Sequence, residues 1–139
     1  MTAYIDASVL LRIVLGQNNA LPEWGKIRRG ISSTLLRTEC LRTLDRLRLT
    51  KALSDVEMSK HRAKLLLLLS AIELVALDGV VLHRAEQPMP TSLGSLDAIH
   101  LATALLLQES DNAPLTVATH DDALARAARA HGLLTVGSV

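Results

Sequence analysis

The sequence has few aromatic residues and little cysteine. Among 139 residues there is no phenylalanine, and Tyr4, Trp24 and Cys40 are the single tyrosine, tryptophan and cysteine. A lone cysteine excludes an internal disulfide bond. Because 49% of the residues are apolar, a chain of this length can still bury a core, which has to consist mainly of aliphatic side chains. The sequence therefore predicts one folded domain over residues 1–139.

The sequence also lacks an apolar run long enough to cross a membrane. The run LLLLLSAIELVAL covers residues 65–77, contains Glu73 and ends at Asp78, whereas a membrane-spanning helix needs about 20 apolar residues. It predicts a buried helix that leads into a strand. No basic segment precedes an apolar run at the N-terminus, so no signal peptide is predicted and we expect a cytoplasmic protein.

Charge is distributed unevenly along the chain. The net charge is +1, but residues 1–64 hold 12 of the 15 basic residues and six of the 14 acidic ones, which gives +6, and the remainder carries −5. Basic residues concentrate between Lys26 and Lys51. They include Arg28, Arg29, Arg37, Arg42, Arg46 and Arg48. Such a concentration is typical either of a phosphate-binding face or of a solvated helix surface.

Apolar periodicity and turn residues predict strands that alternate with helices. The predicted strands cover residues 2–6, 30–34, 72–77, 115–119 and 133–136. The predicted helices cover residues 8–15, 35–49, 55–70, 79–86, 95–108 and 122–131. Strands and helices in this alternation indicate an α/β fold with a mostly parallel sheet that is covered by helices on both faces.

Four acidic residues stand at the ends of these predicted elements. Asp6, in the stretch YIDAS, ends an apolar strand, where an ionised carboxylate loses several kcal/mol of hydration unless it is paired. Glu39 and Asp97 stand near the starts of helices, and Asp121 follows the strand LTVAT. Because ligands of parallel sheets bind outside the carboxyl ends of the strands, we expect these four side chains to converge.

Each acid by itself also has an ordinary explanation. Glu39 and Asp97 could stabilise a helix dipole, and Asp121 or its neighbour Asp122 could cap the last helix. Together, however, four clustered carboxylates repel one another unless a cation is bound. Oxygen ligands suit Mg²⁺ or Mn²⁺, and the histidines show no zinc-site spacing with Cys40. Carboxylate-held Mg²⁺ is typical of phosphodiester hydrolysis.

Four segments, in this order, resemble the motifs of PIN-domain ribonucleases, specifically the VapC toxins of type II toxin–antitoxin modules. The segments are YIDAS, LLRTECLRTLDRLRL, SLDAIHLATALLL and TVATHDDALARAARAHGL, and the resemblance extends over residues 2–135. It implies a PIN-like three-layer α/β/α sandwich with a mostly parallel sheet of about four to five strands. It also implies an Mg²⁺- or Mn²⁺-dependent endoribonuclease that forms a homodimer and is neutralised by a cognate VapB-type antitoxin.

The resemblance assigns roles to individual residues. The catalytic and metal-binding acids would be Asp6, Glu39, Asp97 and Asp121, of which Asp6 and Asp97 are the most dependable ligands. The family's Thr-x-Asp pattern selects Asp121, although Asp122 is adjacent to it. Supporting hydroxyl groups would come from Ser8 and Thr119. His100 is expected to be a packing or supporting residue.

Arginine residues are the remaining candidates. Arg42 follows Glu39 by three residues and could pair with an acid of the quartet, contact a phosphate or form a structural salt bridge. With almost no aromatic side chains for base stacking, RNA would be recognised through phosphates, folded shape and polar contacts, with strong salt dependence. The candidate RNA-binding residues are Arg28, Arg29, Arg37 and Arg46.

Two other interpretations follow from the same acids. A phosphoacceptor receiver domain also gathers acids at strand ends, but it needs a lysine near a late strand, and the last lysine here is Lys64. A catalytically inert PIN-fold module that binds RNA or a protein partner remains compatible with the sequence.

Overall fold

Five short strands form one parallel sheet. The computed structural model describes residues 1–138, so Val139, the last residue of the predicted domain, lies outside the described residues. The strands are β1 (Thr2–Ile5), β2 (Arg29–Ser33), β3 (Ile72–Val75), β4 (Thr116–Ala118) and β5 (Leu134–Val136). Their order is β3-β2-β1-β4-β5, and each neighbouring pair is parallel. The prediction of a parallel sheet is therefore confirmed, and β1 lies at its centre.

Helices cover both faces of this sheet. They are α1 (Ala7–Val14), α2 (Leu35–Leu49), α3 (Asp55–Ser70), α4 (Gly79–Ala85), α5 (Ser95–Asp111) and α6 (Asp122–Ala130), and a 3₁₀ helix spans Pro22–Lys26. Helices α1, α2 and α3 pack on one face, α5 and α6 pack on the other, and α4 packs against α5. The three-layer α/β/α sandwich is thus confirmed. Among residues 1–138, none of the helices is long and apolar enough to cross a membrane.

The side chains of β1 point alternately to the two faces of the sheet, and each face has its own aliphatic core. Ala3 and Ile5 face the core under α1, α2 and α3, while Tyr4 faces the core under α5 and α6, as the two-residue period of a strand requires. On α2, four-residue spacing buries Leu36, Cys40 and Leu44. Each fully buried leucine contributes about 1.5–3 kcal/mol. This packing fixes the ends of β1 relative to the surrounding helices.

Several helices begin at the carboxyl edge of the sheet. Helices α1, α2, α4 and α6 each follow a parallel strand, so their first turns lie at the edge where the strands end. The last residue of α5, Asp111, contacts Arg29 at the start of β2, so α5 ends at the amino edge of the sheet. Its first turn therefore lies at the carboxyl edge. Positive helix N-termini that meet at one edge favour acidic side chains there.

Predicted element boundaries differ from the observed ones by a few residues. The strand predicted over residues 72–77 ends at Val75, and Asp6 follows β1 at the N-cap position of α1. Helix α5 extends three residues beyond the predicted end, to Asp111, where Asn112 terminates it in a left-handed conformation with φ of 47°. Apolar periodicity defines the centres of the elements well, whereas their ends depend on local backbone conformation.

Candidate active site

The four predicted acids lie at the carboxyl edge of the sheet. Asp6 follows β1, Glu39 lies in the second turn of α2, Asp97 lies in the first turn of α5, and Asp121 precedes α6. Partial burial raises the pKa of Asp97 to about 6, with further contributions from the negative charges of Asp121, Asp6 and Glu39. The structure therefore brings all four carboxylates within electrostatic range of one another.

The carboxylate of Asp6 is held by two hydroxyl groups. Its side chain is buried, and Oδ2 accepts hydrogen bonds from Ser8 Oγ at 2.6 Å and from Thr119 Oγ1 at 2.8 Å. Asp6 occupies the N-cap position of α1, yet its side chain makes no capping hydrogen bond. Helix capping therefore does not explain the buried charge. The predicted supporting residues Ser8 and Thr119 both contact the acid that they were expected to support.

The loop after β4 is tied to the end of β1 through the same hydroxyl groups. Thr119 Oγ1 accepts a hydrogen bond from the backbone N–H of Asp121 at 3.0 Å, and Ser8 Oγ accepts one from the N–H of His120 at 2.9 Å. Asp121 is consequently fixed relative to Asp6. Its Oδ1 also accepts from Leu124 N at 3.0 Å, so Asp121 caps α6 as well as facing the other acids.

Asp122 lies apart from this cluster. Its side chain is exposed and accepts a hydrogen bond from the hydroxyl of Ser138. Asp122 is not among the charges that raise the pKa of Asp97, whereas Asp121 is the largest of them. Of the two adjacent acids, the geometry therefore favours Asp121 as the fourth member of the site.

Glu39 is connected to the protein core by a buried histidine. His100 is completely buried, its Nε2 lies 2.5 Å from Glu39 Oε1, and its Nδ1 lies 2.7 Å from the hydroxyl of Tyr4. Burial lowers the pKa of His100, but the hydrogen bond and charge of Glu39 outweigh it, and the pKa is raised. The sequence indicated a supporting role for His100. It did not indicate Tyr4, whose only signal was a lone tyrosine two residues before Asp6.

The basic segment between Lys26 and Lys51 does not form one surface. Arg29 pairs with Glu73 at 2.9 Å and Asp111 at 3.3 Å at the amino edge of the sheet, and the backbone of its neighbour Arg28 bonds to Met1. These two residues lie at the opposite edge from the acids. The parallel strand β2 separates them from the arginines of α2, so the four candidate RNA-binding residues are divided between the two edges of the sheet.

The arginines of α2 lie closer to the acids. Arg37 and Arg46 are exposed, and Arg42 pairs with Asp45 at 3.0 Å instead of with an acid of the quartet. Arg42 and Arg46 line a cleft of about 350 Å³ that Glu39 also lines. Its other walls are formed by Ala7, Leu35, Thr38, Thr43 and Leu96. The cleft thus joins a basic helix face to the acidic site.

The donor set suits a hard cation better than zinc. Within residues 1–138, no group of three or more His, Cys, Asp and Glu side chains is arranged to hold a metal ion. Mg²⁺, however, retains several waters and needs only one or two carboxylates, and Asp6 and Asp97 could provide such oxygen donors. Cys40 is a poor zinc ligand here, because burial raises the pKa of its thiol to about 12. Burial and the charges of the neighbouring acids raise the pKa of Asp97, and a bound cation would offset both effects.

Acidic side chains at the carboxyl edge of a parallel α/β/α sandwich occur in more than one class of protein, and the PIN domain, a nuclease-type fold, is one of them. The family model described as PIN domain matches residues 3–130, and the chain belongs to the PIN domain family. PIN domains are generally nucleases, and PIN nucleases generally use divalent metal ions. A comparison with curated proteins finds none that matches.

Proposed function

We propose that this chain is a divalent-metal-dependent endoribonuclease that hydrolyses RNA phosphodiester bonds with Mg²⁺ or Mn²⁺. One observation carries the proposal. Asp6, Glu39, Asp97 and Asp121 lie at the edge where a parallel sheet binds ligands, and burial together with the negative charges of the other three acids raises the pKa of Asp97. Clusters of like charges with shifted pKa values are typical of sites that bind a cation or transfer a proton.

In this proposal, the four acidic side chains have different roles at the site. Asp6, immobilised by Ser8 and Thr119, and Asp97 would hold the ion, while Asp121 and Glu39 supply further acceptor oxygens around it. A bound divalent ion would acidify water and offset negative charge on the leaving oxygen. Because Asp6 is already held by two hydroxyl groups, little rearrangement of that carboxylate is needed when a substrate arrives.

The surroundings of the site favour a substrate with a phosphate backbone, and the PIN domain family suggests RNA. Arg42 and Arg46 line the cleft beside Glu39, and Arg37 is exposed on the same helix. Cationic side chains next to acidic ones let the phosphate backbone of the substrate run along α2 into the site. The aliphatic walls of the cleft offer no aromatic stacking, so affinity should rest largely on phosphate contacts and fall steeply with salt.

The resemblance to VapC toxins supports a finer proposal. The chain would act as the toxin of a type II toxin–antitoxin module in the cytoplasm, as a homodimer whose protomers are single domains of residues 1–139. A cognate VapB-type antitoxin would neutralise it. Co-expression with the product of the adjacent reading frame should give a stable complex that no longer cleaves RNA. A toxin that stays active beside that product would contradict this assignment.

A second candidate, an inert PIN-fold module that binds RNA or a protein partner, is favoured by one observation. No three potential ligands within residues 1–138 are arranged around a metal position. Calorimetry with Mn²⁺ separates the two functions. An endoribonuclease binds the ion and loses that binding in Asp6→Asn, whereas an inert module shows no binding in either protein.

The decisive experiment compares three single variants on bulk cellular RNA, with new RNA ends mapped by sequencing. Asp6→Asn and Asp97→Asn should each lower metal-dependent cleavage by about 10²-fold or more. Asp122→Asn is the matched control, because this acid is exposed and contacts Ser138 instead of the cluster. Parent-like cleavage by either of the first two variants would falsify the catalytic assignment.

A further inference from the structure

A chain of three polar side chains runs from the core to the candidate active site. Tyr4 and His100 are both fully buried, and the Tyr4 hydroxyl lies 2.7 Å from His100 Nδ1. On the other side of the ring, Nε2 lies 2.5 Å from Glu39 Oε1. The Ser33 backbone N–H donates to the Tyr4 hydroxyl at 3.2 Å, which anchors the inner end of the chain to β2.

The contact between His100 and Glu39 does not depend on the charge of the ring. If the imidazole is neutral and Nδ1 accepts a hydrogen bond from the Tyr4 hydroxyl, the single ring proton is on Nε2 and points at Glu39. If the ring is cationic, both nitrogens carry protons, and Nε2 again donates to Glu39. Both arrangements place one hydrogen bond from Nε2 on Oε1 of Glu39.

Packing alone is a weak explanation for this chain. The surrounding core is aliphatic, and an apolar side chain in place of His100 would avoid the desolvation of a buried polar group. Both ring nitrogens instead have partners, and the outer partner is an acid of the candidate site. Buried, fully satisfied polar networks hold their members in one geometry.

We infer that Tyr4 and His100 are positioning residues that fix Glu39 for RNA hydrolysis. This inference rests on the proposed endoribonuclease function and adds two residues to it. Tyr4 fixes the ring through Nδ1, and the ring fixes Glu39 through Nε2, so that the carboxylate keeps its place beside Asp97 before substrate arrives. The Glu39 side chain is partly exposed on α2, and within residues 1–138 its hydrogen-bond partner is His100 alone.

Two amide substitutions at one position test the inference. In His100→Gln the side-chain nitrogen reaches the place of Nε2 and can still donate to Glu39. In His100→Asn the shorter side chain reaches only the place of Nδ1, where it can still bond Tyr4. With saturating Mn²⁺, we expect kcat of His100→Asn to be at least tenfold below that of His100→Gln, with KM for RNA changed by less than about threefold.

A second measurement does not depend on activity. The ring ¹⁵N–¹H spectrum of the full chain should show a slowly exchanging, strongly downfield Nε2 proton without RNA or metal, and Glu39→Gln should move that proton upfield because its acceptor loses its charge. Equal kcat values for the two amide variants, at comparable thermal stability, would overturn the inference. An unchanged proton in Glu39→Gln would overturn it as well. A parent protein without ribonuclease activity would refute the proposed function instead, and the spectrum would still report the positioning contact.

Discussion

The Thr119 hydroxyl donates a hydrogen bond to Asp6 Oδ2 at 2.8 Å across 113 residues of sequence. The Thr119 hydroxyl oxygen also accepts a hydrogen bond from the backbone N–H of Asp121 at 3.0 Å. One buried side chain therefore joins the carboxylate after β1 to the loop that carries another acid of the site. Ser8 makes a second link of this kind, because its hydroxyl group contacts Asp6 and accepts from the backbone N–H of His120.

We predict that Thr119→Val lowers RNA cleavage by about 10- to 100-fold, because Asp6 loses one of two hydroxyl donors and the Asp121 N–H loses its acceptor. Leaving a buried donor unsatisfied should also lower the free energy of unfolding by about 1–3 kcal/mol. Initial cleavage rates and urea denaturation measure the two effects. Thr119→Ser is the control, since it keeps the hydroxyl and should retain activity within about threefold. Equal activity of the valine and serine variants would show that the hydroxyl is dispensable.

Asp97 gives a prediction for stability without metal. Its folded-state pKa is raised to about 6, above the ordinary value of 3.8, so the ionised form destabilises the fold above pH 6 and this penalty fades as the pH falls toward 4. Asp97→Asn should therefore raise the free energy of unfolding at pH 7.5 in EDTA. Because Asp97 is partly exposed, solvent screening reduces the gain to about 1 kcal/mol.

Thermal unfolding in EDTA at pH 7.5, 6 and 4 measures this effect. The melting temperature of Asp97→Asn should exceed that of the parent at pH 7.5, and the two should converge at pH 4. Added Mn²⁺ should stabilise the parent more than the variant, because the asparagine no longer offers an anionic ligand. A variant that is less stable than the parent at pH 7.5 in EDTA would contradict the charge repulsion at Asp97.

Sequence patterns predicted those parts of the molecule that local chemistry determines. The carboxylate of Asp6 after an apolar strand was informative because a buried charge needs a partner. The resemblance to PIN-domain ribonucleases pointed to Ser8 and Thr119, and both are hydrogen-bonded to Asp6. The contact between Tyr4 and His100 was not predictable, since 96 residues separate them and neither stands out on its own element. Only the packing of α5 on β1 brings them together.

The basic segment shows why proximity in sequence misleads in a parallel sheet. Arg29 and Arg42 are 13 positions apart, but β2 starts at Arg29 and carries the chain from the amino edge to the carboxyl edge. The number of basic residues in a segment does not show at which edge of the sheet each of them lies. Once the strand is placed, Arg29 belongs to an ion-pair cluster with Glu73 and Asp111, and α2 retains the basic residues beside the acids.

This separation predicts different effects for two arginine substitutions. Arg46→Ala should weaken RNA binding, because Arg46 lines the cleft beside Glu39. The slope of log affinity against log salt concentration should also become shallower by about one, since one phosphate contact releases about one counterion. Arg29→Ala should leave both quantities unchanged, since Arg29 lies at the opposite edge. Fluorescence anisotropy with an RNA oligonucleotide and the Asp6→Asn protein, at several salt concentrations, measures both. A larger loss of RNA affinity from Arg29→Ala than from Arg46→Ala would place the RNA at the amino edge of the sheet.

Gly137 supports the loop that carries Thr119 and Asp121. Its φ is +96°, and a Cβ atom there would lie 2.6 Å from the carbonyl oxygen of Thr119 and 3.3 Å from His120 Nδ1. The Gly137 carbonyl also bonds His120 Nδ1 at 2.8 Å. The close approach requires glycine, because any side chain would push against the backbone that holds the site together.

We predict that Gly137→Ala lowers both stability and cleavage, whereas Gly132→Ala lowers stability alone. Gly132 has a similar φ of +81°, but a Cβ atom there would meet nothing within 4 Å, so its variant measures the conformational strain by itself, about 1–2 kcal/mol. Gly137→Ala adds the clash with Thr119 O, which has to shift the loop and with it the contact of Thr119 with Asp6. Urea denaturation and initial cleavage rates of the two variants separate strain from displacement. Equal cleavage rates of the two variants would contradict this prediction, because they would mean that the loop accommodates the extra methyl group without moving Thr119 away from Asp6.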